Sequence, residues 1–175
     1  MENLKPEICC FFGHREITVT DELVLKLSTE IEKLIAINNV HTFLFGSNSR
    51  FDELCYMVVS KLKEKHTHIK RVYVRAAYAD IDNRYEKYLL QRYEESYYPQ
   101  SIRGAGKASY VERNREMINN STFCIVYHDE NYLPPRRKGN SKNLTDYQPK
   151  SGTKLAFEYA RRKNKIIMNV YDLLC

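Results

Sequence analysis

Pro149-Lys150-Ser151-Gly152-Thr153 stands between two apolar runs and opens a helix on a glycine. Ahead of it lie a strand-like apolar run, Thr122-Phe123-Cys124-Ile125-Val126-Tyr127, and a long polar segment. Behind it come Lys154-Leu155-Ala156-Phe157-Glu158-Tyr159-Ala160-Arg161-Arg162-Lys163, which reads as a helix, and a second apolar run, Ile166-Ile167-Met168-Asn169-Val170. The order is strand, loop, glycine-bearing helix start, helix, strand. Such a unit aims free backbone N–H groups and the positive end of a helix dipole at one point. That point suits an anion, most often a phosphate. Gly152 allows close approach to the backbone. Ser151 and Thr153 can cap the helix or donate hydroxyl hydrogen bonds to phosphate. An ordinary Ser/Thr helix cap is the plain alternative for so short a motif.

The same pattern recurs upstream. Ile8-Cys9-Cys10-Phe11-Phe12 is a continuous apolar run ended by Gly13, as expected of a strand buried on both faces of a parallel sheet. Gly13-His14-Arg15 then stands at its carboxyl end. A cap and acidic first turn at Thr20-Asp21-Glu22 open a helix over residues 21–37, with Leu23, Leu27, Ile31, Leu34 and Ile35 on one face. His41-Thr42-Phe43-Leu44-Phe45 is a second buried strand, followed by a second phosphate-loop candidate, Gly46-Ser47-Asn48-Ser49-Arg50. A helix to about residue 65 carries Leu54, Val58, Val59 and Leu62 inward, and a third strand spans 70–75. Residues 82–95 read as a helix rich in tyrosine and charge, and residues 107–120 as another, with Tyr110, Val111, Met117 and Ile118 inward. Alternating strands and helices predict an α/β, Rossmann-like, doubly wound fold: a mainly parallel sheet with helices on both faces. Ligands in such folds lie outside the carboxyl ends of the strands, where strand order reverses. The three glycine-bearing turns are therefore expected to share one crevice. The segment 128–150 is polar, carries prolines and has no periodicity; a lid over a site and a surface insertion are both open readings.

The 175 residues suit a single domain, 1–175, with mass enough for a real core. No apolar run approaches the roughly 20 residues a bilayer span needs. The start, Met-Glu-Asn-Leu-Lys-Pro, lacks the basic and then apolar build of a signal peptide, so a cytoplasmic location is expected. The five cysteines show no metal-ligand spacing, and an odd count reads as buried thiols. No metal or cofactor is expected. The net charge of +6 favours an anionic partner. With no zinc-finger or similar motif, nucleic acid is disfavoured against a phosphate-bearing small molecule. Fourteen tyrosines and no tryptophan, crowded between Tyr73 and Tyr110, suggest a dimer interface or a base-stacking wall, with simple packing as the alternative.

Four groups of residues carry a family likeness. They are Phe12-Gly13-His14-Arg15; Phe45-Gly46-Ser47 with Arg50-Phe51-Asp52; Glu112-Arg113-Asn114 with Met117-Ile118; and Lys150-Ser151-Gly152-Thr153 with Ala156 and Glu158 behind it. The layout resembles the SLOG superfamily, a Rossmann-like group that includes the cytokinin-activating phosphoribohydrolases once labelled lysine decarboxylases. The closer likeness is to a branch of small bacterial SLOG proteins, and it covers most of the chain. In the phosphoribohydrolases a phosphate motif ends in Gly-Thr, with a glutamate three positions on. The resemblance maps Gly152-Thr153 onto that Gly-Thr, but three positions on stands Ala156, and the nearest carboxylate is Glu158. An arginine on the preceding helix is matched by Arg113. The departure argues against hydrolase activity and leaves nucleotide binding untouched.

The candidate ligand residues are thus Gly13, His14, Arg15, Gly46, Ser47, Ser49, Arg50, Asp52, Arg113, Ser151, Gly152 and Thr153. Arg50 and Arg113 can fork onto phosphate oxygens, or serve as ion-pair partners. His14 can touch a phosphate or carry a proton near neutrality, or act as a hydrogen-bonded loop residue. Asp52 suits the positive end of a helix or a ribose hydroxyl. The expected function is a module that binds a nucleotide or nucleotide-sugar, ADP-ribose-like, to sense or sequester it. The rival is an N-glycosidase acting on nucleoside monophosphates, with Glu158 or a residue of the long loop stabilising charge on the ribose. A single-strand nucleic-acid binder is the third reading.

Overall fold

The computed structural model describes residues 5–134 and 150–174. Its sheet has six strands: β1 (Glu7–Gly13), β2 (Val40–Phe45), β3 (Lys70–Val74), β4 (Glu95–Tyr97), β5 (Phe123–Tyr127) and β6 (Ile166–Asn169). The spatial order is β4-β3-β2-β1-β5-β6, and every pairing is parallel. Five α-helices lie between them: α1 (Asp21–Ala36), α2 (Arg50–Lys65), α3 (Asn83–Leu90), α4 (Ser109–Asn120) and α5 (Gly152–Arg162). The expected α/β, Rossmann-like doubly wound architecture is present, with the sheet wholly parallel among the described residues. No helix among them is long and apolar enough to cross a membrane.

The apolar runs explain the layering. In a strand, alternate side chains point to opposite faces. Cys9 and Phe11 of β1 therefore join the core beneath α1 and α2, together with Phe43, Phe45, Phe51 and Ile125. Cys10 and Phe12 join the other core, against Met117 and Ile118 of α4 and Ala156 and Ala160 of α5. The rings gather on the first face; each buried ring is worth roughly 1.5–3 kcal/mol. On the second face the two alanines of α5 let that helix lie close to the sheet. Thr20, Ser49, Asp82 and Ser151 each cap a helix by accepting a backbone N–H three residues on. Cys9, Cys10, Cys55 and Cys124 are buried free thiols, as the cysteine count implied; Cys175 lies outside the described residues.

Two expectations are corrected. Residues 82–95 do not form one helix. The chain turns after Leu90: the N–H groups of Arg92 and Tyr93 both donate to the Leu89 carbonyl, at 3.0 and 2.9 Å. Arg71 then draws Glu94 to the sheet, with Nη2 2.7 Å from Oε1 and the Arg71 N–H donating to Oε2 at 2.7 Å. Glu95–Tyr97 becomes the edge strand β4, pairing with Val72–Val74. In α4, Tyr110 does not face inward but is 61% exposed, and Val111 is half-buried. The side chain that α4 buries on that side is Arg113, whose Cζ lies 5.9 Å from the Tyr110 ring.

The strand order reverses between β1 and β5. The chain builds outward from β1 to β4, then returns to add β5 and β6 on the other side. The carboxyl ends of β1 and β5, side by side, are where such a sheet opens a crevice.

Candidate functional site at the strand-order reversal

Gly13 ends β1 opposite Tyr127, the last residue of β5. His14 comes next and is 2% exposed. Its N–H donates to the Tyr127 carbonyl at 3.3 Å. Its ring Nε2 accepts the Asp129 N–H at 2.9 Å, and its face stacks on Tyr132 with centroids 3.9 Å apart and planes 20° off parallel. His14 Nδ1 is buried with no partner among the described residues. His128, 4% exposed, lies across from it with ring centroids 5.8 Å apart. Asn169 of β6 clamps the His128 peptide: its Oδ1 accepts the His128 N–H at 3.0 Å, and its Nδ2 donates to the His128 carbonyl at 2.9 Å. The His128 ring lies parallel to Phe157 of α5, 4.6 Å away. Its Nδ1 also lacks a partner among the described residues. Burial lowers the pKa of both imidazoles, and in His14 the neighbouring His128 adds to the effect. Both rings are therefore neutral at pH 7.

The start of α5 closes this crevice. Helix geometry leaves the first N–H groups without intrahelical acceptors. Ser151 Oγ takes the Lys154 N–H at 3.1 Å; those of Gly152 and Thr153 have no acceptor among the described residues. A Cβ at Gly152 would meet nothing within 4 Å, so packing makes no demand for glycine there and the position stays open to solvent. A cavity of about 200 Å³ adjoins this helix start. Lys150, Ser151, Lys154 and His128 give it a cationic and hydrogen-bonding side, Asp129 and Glu130 an acidic one, and Tyr132 and Leu133 an apolar wall. Thr153 is buried under the helix start. Glu158 does not line the cavity; it pairs with Lys150 at 2.8 Å, and that hydrogen bond lowers its pKa, leaving it ionised.

The turn after β2 is built differently. Arg113 reaches from α4 and is 2% exposed. Its Nη1 donates to the carbonyls of Gly46 and Val74, and its Nε donates to Asn114 Oδ1 at 3.0 Å. A Cβ at Gly46 would come within 2.8 Å of the guanidinium carbon, so glycine is required for the arginine to fit. Asp52, in the first turn of α2, is 3% exposed and its Oδ1 has no partner among the described residues. Burial pushes its pKa up to about 7, against the pull of Arg113 and of the Gly46 and Ser47 N–H groups. Ser49 Oγ accepts the Asp52 N–H at 3.0 Å and the Ser47 hydroxyl at 3.0 Å, which tightens the turn.

The β1 and β2 turns touch. The Arg50 N–H donates to the Arg15 carbonyl at 2.8 Å, and Phe51 packs on Gly13 so closely that a Cβ there would lie 2.4 Å from its Cδ1. The side chains of Arg15 and Arg50 are exposed, and Arg50 sits 3.5 Å from Glu53. Of the residues singled out in the sequence, Ser151 lines the cavity, while His14 meets it through Asp129 and Tyr132. Gly46, Asp52 and Arg113 form an adjoining buried cluster rather than a cavity wall. His128, Asp129, Glu130 and Tyr132 line the cavity but sit in 128–150, which reads as one featureless loop, and Lys154 reads as an ordinary residue of the helix that follows. The usable signal was position: they come directly after the strand next to β1, or open the next helix. Of that loop, residues 135–149 lie outside the described residues. No protein-family model matches the chain, and no curated protein matches it significantly.

Proposed function

We propose that the crevice between the ends of β1 and β5 binds a nucleotide or nucleotide-sugar, in a protein that senses or sequesters it. The observation that carries this reading is the opening of the α5 start onto a cavity at the strand-order reversal, beside a buried His128 Nδ1 that lacks a partner among the described residues. The phosphate lies against the Gly152 and Thr153 N–H groups and Lys154, where backbone donors and dipole favour negative charge. Asp129 and Glu130 accept sugar hydroxyls, and Tyr132 and Leu133 meet the base. The volume of about 200 Å³ falls below the roughly 300–1,000 Å³ of a pocket that engulfs a drug-sized molecule. The described cavity thus suits a sugar phosphate, with the remainder of an ADP-ribose-like ligand outside it. Thermal unfolding with AMP, ADP and ADP-ribose tests the proposal. Saturation at a hundredfold excess over Kd stabilises the fold by about 2.7 kcal/mol. No shift with any of the three, or an equal shift in Gly152→Val, counts against it.

The N-glycosidase reading gains from Asp129 and Glu130, two carboxylates at the cavity, whereas Glu158 is engaged by Lys150. Release of free adenine from AMP, lost in Asp129→Asn or Glu130→Gln, would favour it over simple binding.

A further inference from the structure

We infer that His14 is a positioning residue whose neutral imidazole carries the cavity wall formed by the segment after β5, and that protonation of this ring releases the wall. The inference adds regulation to the crevice proposed above, but the latch itself is a property of the protein without ligand.

His14 holds two residues of that wall at once. Its Nε2 accepts the Asp129 N–H at 2.9 Å, and its face stacks on Tyr132 at 3.9 Å. Both residues line the cavity. An imidazole nitrogen that accepts carries no proton, so the neutral ring holds its hydrogen on Nδ1. A second proton can go only to Nε2. That nitrogen then becomes a donor facing the Asp129 N–H, another donor, and the bond is lost. The ring is 2% exposed, so water cannot readily take over either group. Beyond His14, Asn131 N–H donates to Asp129 Oδ1 at 2.9 Å and Tyr132 N–H to the Asp129 carbonyl at 3.1 Å, both within the segment, while Asn169 clamps the preceding His128.

Among the described residues, the titratable groups facing His14 belong to β5 and the segment after it. They are Tyr127, edge-on at 6.2 Å, His128 at 5.8 Å, Asp129 and Tyr132. The start of α2 contributes the uncharged Phe51 beside Gly13. Burial and His128 keep the His14 pKa below its ordinary value, and the Asp129 charge opposes them. The wall is therefore latched at neutral pH and released on acidification.

Proton-detected ¹⁵N spectra of the full chain, taken from pH 8 to pH 5, read the ring tautomer and the Asp129 amide together. The Nδ1–H form is expected at pH 8, with the Asp129 amide proton moving upfield at the same midpoint as the His14 ring. An Nε2–H tautomer, or an Asp129 amide indifferent to His14 protonation, overturns the latch. His14→Phe keeps a stacking face and removes the acceptor; exchange of the Asp129 amide with solvent should then quicken about tenfold or more. His14→Gln restores an acceptor without a titrating group, and should recover protection while losing the midpoint. Equal protection in His14→Phe and wild type overturns the inference. If His14→Phe does not fold, the wild-type titration decides alone. None of these readouts contains a nucleotide, so the latch can fail while nucleotide binding stands, and the reverse.

Discussion

The ends of β1 and β2 begin alike and finish as opposites. Each strand stops at a glycine, and each glycine is demanded by one neighbour: Gly13 by the ring of Phe51, Gly46 by the guanidinium of Arg113. After Gly13 the chain buries a neutral imidazole that holds Asp129 and Tyr132, two residues lining the cavity that follows β5. After Gly46 it buries an arginine and a carboxyl group inside a closed turn. One end adjoins a cavity through Asp129 and Tyr132, while at the other an arginine ties the ends of β2 and β3 together. A glycine after a strand is therefore ambiguous in itself, because close approach can serve a ligand or a side chain of the same protein.

The largest expected effect lies at the β2 end. Arg113→Met strands the buried Gly46 and Val74 carbonyls and removes a cation that favours the ionised form of Asp52, which should cost about 3–5 kcal/mol in urea unfolding. Adding Asp52→Asn should recover part of that loss, since the two charges are coupled. Strict additivity of the two changes would break the contrast between the two strand ends.

Asp52 itself sets a pH dependence. Its folded pKa, about 7, stands above its ordinary 3.8. The folded protein therefore holds a proton that the unfolded chain has already released, and stability falls as pH rises from about 4 to 7. Relative to wild type, Asp52→Asn should gain up to roughly 4 kcal/mol between pH 4 and pH 8, read by unfolding at each pH. The imidazoles work the other way. Their lowered pKa values mean that the unfolded chain takes up protons first, so stability drops as pH falls below 6.5. Unfolding in the Asp52→Asn background exposes that second slope, which should shrink when His14→Gln and His128→Gln are added and leave the part due to His68, whose pKa is also lowered.

Gly13→Ala drives a methyl group into Phe51, including its Cβ, which cannot swing aside; overpacking of this kind costs about 1–3 kcal/mol. The smallest effect on stability belongs to Gly152→Ala, within about 0.5 kcal/mol, because nothing lies near the added methyl. The same change should weaken AMP binding in calorimetry if the α5 start holds the phosphate. A large loss of stability there, with binding intact, would remove the distinction between the glycines.

Much of the fold was legible because burial leaves a period. Leu23, Leu27, Ile31, Leu34 and Ile35 recur at helical spacing and are all buried in α1. The runs through Cys9–Phe12 and Phe43–Phe45 are apolar throughout because both faces of those strands are covered. Tyr110 and Arg113 broke the rule in α4: pattern assigns the inside to the tyrosine, and the backbone carbonyls at the strand ends claim it for the arginine. Glu95–Tyr97 was missed since three residues have no period of their own, and β3 makes them a strand.

The chain on its own settles what burial, propensity and short-range capping can write locally: parallel strands ended by glycine, amphipathic helices, and Thr20 and Ser151 as caps. Which glycine meets a side chain and which meets open space was decided by tertiary structure. So were the approach of Asp129 to His14, across 115 positions, and of Arg113 to Gly46, across 67. Those contacts depend on the order of strands in space, and a partner's distance along the chain carries no local signal from which that order could be read.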